Sequence, residues 1–183
     1  MFTVSITTNT TIDLKLGMQK LGWTFFNGEF TRVLDYGKKL ITMKIDENNP
    51  HILMGEFAQN LSMKEYKAIN AFLKEIIEAF NGTIDDENSK LGYLADATPA
   101  CIVTNWEKWE TFLVKAKLRS LEGKKVMALN TDGETLIEGL LVEYGSSVDE
   151  ETGSLTISSC TVITIFGERT VKEDALSIEA VYE

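Results

Sequence analysis

Carboxylates are the residues of this sequence whose types could most directly do chemistry. Two acidic runs, Asp85-Asp86-Glu87 and Asp149-Glu150-Glu151, could bind Ca²⁺ or Mg²⁺. Neither run has the EF-hand spacing of alternating ligands, a central Gly and a terminal Glu. Carboxylates from separate β segments could also converge on a divalent cation, as in a metal-dependent nuclease. The candidates for that role are Glu138, Glu143, Glu168 and Asp174. We predict no ordered metal and no cofactor, and keep the nuclease as an alternative.

The residue types of nucleophilic and zinc catalysis are nearly missing. His51 is the one histidine, and no nearby residue could complete a Ser-His-Asp or Cys-His arrangement with it. The two cysteines, Cys101 and Cys160, are 59 positions apart, which does not match zinc-ligand spacing. Neither a G-x-x-x-x-G-K-[ST] nor a G-x-G-x-x-G loop is present. The sequence therefore predicts a protein that is not an enzyme.

The cysteines and the N-terminus indicate the compartment. Cys101 and Cys160 lie in apolar, β-like segments that are typical of buried thiols in a reducing compartment, with a disulfide between them as the alternative. Residues 1–5 lack the basic and apolar regions of a signal peptide. No apolar run approaches the ~20 residues that span a bilayer. We expect a cytoplasmic protein with no membrane partner.

Negative charge is concentrated at the C-terminal end. Residues 134–183 contain 11 acidic and 2 basic residues, whereas residues 1–133 contain 17 acidic and 16 basic ones. Such a field repels phosphate backbones and attracts basic surfaces. We therefore predict that the partner is a basic protein surface and that direct nucleic-acid binding is absent. The carboxylates expected to face that partner are Glu134, Glu138, Glu143, Asp149, Glu150, Glu151, Glu168, Glu173 and Asp174.

A second, basic surface lies on a predicted helix. Trp106 and Trp109 are three positions apart, and Lys115, Lys117 and Arg119 follow them toward the end of the helix. Core packing is the first interpretation of the two tryptophans. The alternative is a surface on which a partner docks or stacks.

The elements that position these residues begin with an N-terminal strand. Residues 2–6 and 12–16 alternate between apolar and polar residues, which predicts a β-hairpin that turns near residues 8–10. A short helix over residues 12–21 is the alternative. Asn27-Gly28 predicts a second hairpin with a type I′ turn. The meander continues with strands that we predict at 39–45 and 51–57.

Two helices are predicted to pack against this meander. The first runs from 63 to 80, because Ser62 and Glu65 form a capping box ahead of a helical apolar stripe. The second runs from 105 to 119. From residue 124 onward the pattern is purely β, with an acidic loop at 145–153. The predicted strands are 124–130, 134–144, 154–166, 169–171 and 177–182.

These elements predict an α+β protein of two domains. Residues 1–118 form an α+β domain in which β-hairpins pack against the helices. Residues 119–183 form an acidic small barrel, because five strands within about sixty residues are typical of such barrels.

Part of the second domain resembles the small barrels of the Sm-like or SH3-like type. The matching segments are Leu121-Glu122-Gly123-Lys124-Lys125-Val126, Asp132-Gly133-Glu134, Glu138-Gly139-Leu140-Leu141-Val142, and Val171–Ile178 before the last strand. The match covers about a third of the chain, and it implies a five-stranded barrel. The RNA-contacting asparagine and Arg-Gly pair of the Sm family have no counterpart here, and the resemblance therefore does not imply RNA binding.

As a type, the whole chain resembles the small acidic proteins with which phages and mobile elements inhibit host nucleases, the anti-CRISPR proteins among them. The resemblance is one of size, acidity and lack of an active site. It implies that the acidic residues occupy the basic channel of a CRISPR effector nuclease or its guide complex, in the host cytoplasm. The alternative is a structural or accessory module of a phage or mobile element whose barrel mediates self-assembly, with acidity serving solubility.

Overall fold

Residues 1–9, 13–33, 37–149 and 151–181 are described by a computed structural model. The chain mixes helices with antiparallel strands, which confirms the α+β class. It forms two compact units, Met1–Trp106 and Glu107–Glu183. The predicted boundary at 118/119 concerns domains that fold independently, and it stays a prediction.

The first unit is built on one antiparallel sheet. In the described residues its strands lie in the order β2-β3-β4-β5-β1-β6, while β7 and β8 pair with each other. The elements are β1 (Phe2–Thr7), α1 (Leu14–Lys20), β2 (Thr24–Phe26), β3 (Glu29–Val33), β4 (Lys39–Ile45), β5 (Ile52–Phe57), α2 (Met63–Ala79), β6 (Thr83–Asp85), a 3₁₀ turn (Glu87–Ser89), β7 (Gly92–Tyr93) and β8 (Pro99–Ala100).

Helix α2 begins as the sequence predicts. The Ser62 hydroxyl accepts the backbone N–H of Glu65 at 3.4 Å, and the Glu65 carboxylate accepts the backbone N–H of Ser62 at 2.7 Å. This reciprocal pair satisfies two N–H groups that the first turn of a helix leaves without partners. Ile69, Leu73 and Ile76 then fall on one face and are completely buried. The predicted helix over 63–80 is therefore confirmed to within one residue.

The predicted N-terminal hairpin is wrong, and the alternative helix is correct. Residues 14–20 form α1, whose N-cap is Asp13: its carboxylate accepts the backbone N–H of Leu16 at 3.2 Å. Leu14 and Met18, four positions apart, are the buried residues of this helix. Strand β1 pairs instead with β5 and β6, which lie much later in the chain. Residue 12 and the end of the predicted turn lie outside the described residues.

The second predicted hairpin is confirmed. Strands β2 and β3 pair around Asn27 and Gly28, whose φ angles are 49° and 83°. Both angles are positive, as the turn between two tightly connected strands requires. Strands β4 and β5 also coincide closely with the predicted segments at 39–45 and 51–57.

The second unit contains an open five-stranded antiparallel sheet. Its described strands lie in the order β12-β11-β10-β9-β13, so that β12 and β13 are the two edges and do not pair with each other. A closed barrel is therefore not observed in the described part of the chain. The elements are α3 (Trp106–Leu121), which belongs to this unit from Glu107 onward, β9 (Lys125–Leu129), β10 (Thr135–Val148), β11 (Leu155–Thr164), β12 (Gly167–Lys172) and β13 (Ser177–Ala180).

One face of this sheet holds the core of the second unit. Leu118 and Leu121 of α3 pack in one cluster with apolar residues of the strands; those with the least exposure are Val126, Ala128, Leu141, Cys160 and Val162.

Strand β10 is longer than the sequence predicts. It continues to Val148, which pairs with Leu155. The acidic loop therefore begins several residues later than the predicted 145–153.

Candidate functional site

The face of the second sheet opposite its core carries three of the predicted acidic residues. Residues directly opposite each other on neighbouring strands share a face. Leu140 lies opposite Ile163, and Ile163 lies opposite Glu168. Glu138 precedes Leu140 by two positions, and Glu143 returns to this face beyond a bulge in β10. We call these five residues the acidic face: two exposed apolar side chains with three carboxylates around them.

The described acidic residues of the prediction are all exposed. Glu138 forms an ion pair with Lys125 at 2.8 Å. Four of the other predicted carboxylates form no ion pair in the described ranges: Glu143, Glu168, Glu173 and Asp174. Their charge is therefore available to cations of a partner. Glu150 lies outside the described residues.

Two of the predicted acidic residues also shape their own loops. The Asp149 carboxylate accepts the backbone N–H of Thr152 at 2.7 Å and that of Glu151 at 3.0 Å. The Thr152 N–H is the main reason that the pKa of Asp149 is lowered. Glu134 accepts a hydrogen bond from the side chain of Asn130 at 3.1 Å. Substitution of Asp149 would therefore change both the charge and the shape of the β10–β11 loop.

The turn between β11 and β12 exposes two large apolar side chains that the sequence interpretation missed. Ile165 is 92% exposed and Phe166 is 78% exposed. The Thr164 hydroxyl accepts the N–H of Phe166 at 3.1 Å and donates to the carbonyl of Gly167 at 3.0 Å. The turn thus holds both residues in a defined position. Neither residue signals a turn, because turn positions are usually occupied by Gly, Pro, Asn, Asp or Ser; the one such residue here is Gly167, which follows them.

A groove of about 700 Å³ lies between this turn and β10. Its floor includes Gly139, where an added Cβ would lie 2.5 Å from the carbonyl oxygen of Ile163. The close approach of β10 to β11 therefore requires glycine at this position. The groove combines apolar side chains with charged side chains of both signs; its lining includes Ile137, Leu140, Ile163, Phe166, Lys125, Glu138 and Arg169.

The four carboxylates considered for a metal-dependent nuclease do not form a metal site. Among the described residues, no three His, Cys, Asp or Glu side chains come together in a way that could hold a metal ion. Glu138 and Glu143 are on β10 and Glu168 is on β12, whereas Asp174 lies in the turn before β13. The structure gives the nuclease hypothesis no support.

The acidic run at 85–87 includes a buried carboxylate that accepts hydrogen bonds from the protein instead of facing solvent. Asp86 is buried, and its Oδ2 accepts the backbone N–H groups of Val103 at 2.7 Å and Thr104 at 2.8 Å. Its Oδ1 accepts the Thr104 hydroxyl at 2.7 Å. Asp86 therefore holds the segment that leads into α3. Asp85, in contrast, is exposed and accepts the N–H of Glu87 at 3.2 Å.

The histidine and the cysteines are placed as ordinary structural residues. His51 is exposed, and its backbone carbonyl accepts hydrogen bonds from the N–H and the hydroxyl of Thr8. Cys101 and Cys160 are buried free thiols, so the alternative of a disulfide between them is wrong. Burial raises the pKa of both thiols, which disfavours the nucleophilic thiolate.

The basic surface on α3 is only partly accessible. Trp106 is 2% exposed, so its side chain cannot serve as a docking residue. Trp109 and Lys115 are half-buried, and Lys117 and Arg119 are exposed.

None of the helices in the described part of the chain combines the length and the apolar character needed to cross a membrane. Comparison with protein-family models, with curated proteins and with solved structures finds no match for this chain.

Proposed function

We propose that this chain is a non-enzymatic inhibitor that binds a nucleic-acid-binding protein and blocks its basic channel. The target would be a CRISPR effector nuclease or its guide complex, as for an anti-CRISPR protein. Carboxylates presented from the second unit would take the place of phosphates and pair with Arg and Lys of the channel.

The observation that carries the proposal is the acidic face. Its carboxylates surround two exposed apolar residues, Leu140 and Ile163, and the exposed Phe166 lies in the turn that follows β11. A protein that used acidity only for solubility would gain nothing from large apolar residues at the same place. Interfaces in contrast combine apolar anchors with a polar rim. The pattern therefore favours a binding surface.

The experiment measures target-DNA cleavage and DNA binding by purified effector nucleases with their guides, with and without this protein. We expect inhibition that competes with DNA and weakens as salt rises from ~50 to ~300 mM, because the Debye length shrinks over that range. Glu143→Lys and Glu173→Lys should each weaken inhibition, since neither carboxylate forms an ion pair in the described residues.

The matched control is Glu78→Lys, which makes the same charge change on an exposed residue of α2 in the first unit. It should leave inhibition intact. A complex that binds DNA and this protein together at full affinity would overturn the mimicry. Equal effects of all three charge reversals would show that inhibition depends on the net charge of the protein and not on the acidic residues of the second unit.

A structural module that assembles with itself is a second candidate, and the open sheet of the second unit favours it. Strand β13 returns to pair with β9, so that closure of an Sm-like or SH3-like barrel would need only the pairing of β12 with β13. Both strands keep one free edge in the described residues. A protein of this class would show no salt-dependent inhibition of any nuclease.

A further inference from the structure

The edge strand β12 has the properties of a pairing site. Among the described residues, β12 pairs with β11 alone, and five of its six residues are exposed. An edge strand presents a row of unpaired N–H and C=O groups that can accept another strand.

The β11–β12 register shows which backbone groups of β12 are directed outward. Lys172 lies opposite Ser159, and Glu173 continues this register by donating its N–H to the carbonyl of Ser158 at 3.1 Å. In an antiparallel pair, successive residues alternate between bonding to the neighbouring strand and pointing away from it. Residues 167, 169 and 171 therefore bond to β11. Residues 168, 170 and 172 direct their N–H and C=O groups toward the open side.

The charges and the length of β12 distinguish between the possible ways of pairing with a second copy. A two-fold antiparallel pairing can be centred on a residue with outward groups, Glu168, Thr170 or Lys172, or on a residue between them, Arg169 or Val171. Centring on Arg169 places two arginines opposite each other, and centring on Val171 leaves Glu168 without a partner, because the opposite strand ends at Lys172. Centring on Glu168 or on Lys172 places like charges directly opposite each other, which is destabilising. Centring on Thr170 places Glu168 of each copy opposite Lys172 of the other.

We propose that this chain forms a two-fold symmetric dimer in which β12 of one copy pairs with β12 of the other, centred on Thr170. All three residues with outward groups then donate and accept hydrogen bonds across the interface. The two Glu168–Lys172 pairs fix the register. The proposal does not depend on the inhibitory role, because it is argued from the backbone groups and the charges of the β12 edge. Glu168 belongs both to this edge and to the acidic face.

The other edge is less suited to this role. Strand β13 has four residues, whereas β12 has six. Pairing of β12 with β13 would also be head-to-tail and would produce rings or open chains rather than dimers. The net charge of −10 on each copy opposes any self-association, and the experiment is therefore done at about 150 mM salt.

The experiment is sedimentation equilibrium of the full chain over a range of concentrations, for the native protein, Glu168→Lys, Lys172→Glu and the double exchange. We expect a dimer for the native protein. Each single reversal converts both opposite-charge pairs into like-charge pairs and should weaken the dimer by about tenfold or more. The double exchange should restore it. An equimolar mixture of the two single variants should form a heterodimer.

Two further measurements separate this interface from general charge effects. Glu143→Lys changes the net charge equally but lies on β10, away from the edge, and it should not weaken the dimer. Amide exchange at residues 168, 170 and 172 should slow with rising protein concentration, while residues 169 and 171 stay unchanged. A monomer at all concentrations, an assembly larger than two, or single reversals without effect would overturn the proposal.

Discussion

Replacing Asp86 by alanine should destabilise the first unit by about 2–4 kcal/mol. The buried Asp86 carboxylate accepts three hydrogen bonds of 2.7–2.8 Å, two from backbone N–H groups and one from the Thr104 hydroxyl. A hydrogen bond to a charged group contributes about 1.5–3 kcal/mol. Val103 is half-buried and Thr104 is exposed, so water replaces part of what is lost. The expected value therefore lies below the sum of the three bonds.

Two further variants should lower the free energy of unfolding by less than Asp86→Ala does. Asp86→Asn keeps the shape and one oxygen acceptor, and its amide group can donate to the Thr104 hydroxyl oxygen. We expect a loss of about 1 kcal/mol. Asp85→Ala is the matched control, because it removes the same charge one position earlier from an exposed residue. It should change the free energy of unfolding by less than about 0.5 kcal/mol. Urea denaturation followed by tryptophan fluorescence and circular dichroism measures all three.

Equal and small losses from Asp86→Ala and Asp85→Ala would refute the assignment of Asp86 as the anchor of residues 103 and 104. The assignment would also be refuted if the acidic run at 85–87 bound a divalent cation. In that case millimolar Mg²⁺ or Ca²⁺ would raise the melting temperature of the native protein, and Asp86→Ala would abolish the increase.

Three more outcomes are expected. Ile76→Ala should cost about 2–5 kcal/mol in urea denaturation, because it opens a cavity under a fully buried side chain of α2; a negligible loss would show that α2 is not docked. The ion pair with Lys38 is the main reason that the pKa of Glu65 is lowered to about 2 from 4.5. The urea midpoint should therefore fall as pH drops through this range, and Glu65→Gln should flatten that fall. Gly139→Ala should destabilise the second unit by about 1–3 kcal/mol, since its Cβ would meet the carbonyl of Ile163; native stability would show that β10 can move away.

Local signals predicted most of the elements correctly. Helix α2 was predictable because Ser62 and Glu65, which start it, are three residues apart. The β2–β3 hairpin was predictable because Asn27 and Gly28 together determine its turn. In both cases the residues that determine the structure are neighbours in the sequence, so that no knowledge of the tertiary structure is needed.

The incorrect predictions concern segments whose structure depends on residues that are distant in the sequence. The alternation of apolar and polar residues at 14–16 is too short to distinguish a strand from a helix. The helix is formed because it buries Leu14 and Met18, which are four positions apart. The role of Asp86 was hidden because its partners lie 17 and 18 positions later in the chain. The acidic residues of the candidate site followed from composition. The exposed Ile165 and Phe166 were missed, because their pattern alone also fits the end of a buried strand.

The placement of the two cysteines gives each unit its own chemical reporter. Cys101 lies in the first unit and Cys160 in the second, and both thiols are buried with a raised pKa. A thiol reagent can reach either sulfur only after the structure around it opens. When reclosing is faster than the reaction, the labelling rate is proportional to the equilibrium population of the open form. Two labelling rates from one native sample therefore give the opening free energy of each unit, without cutting the chain or adding a probe.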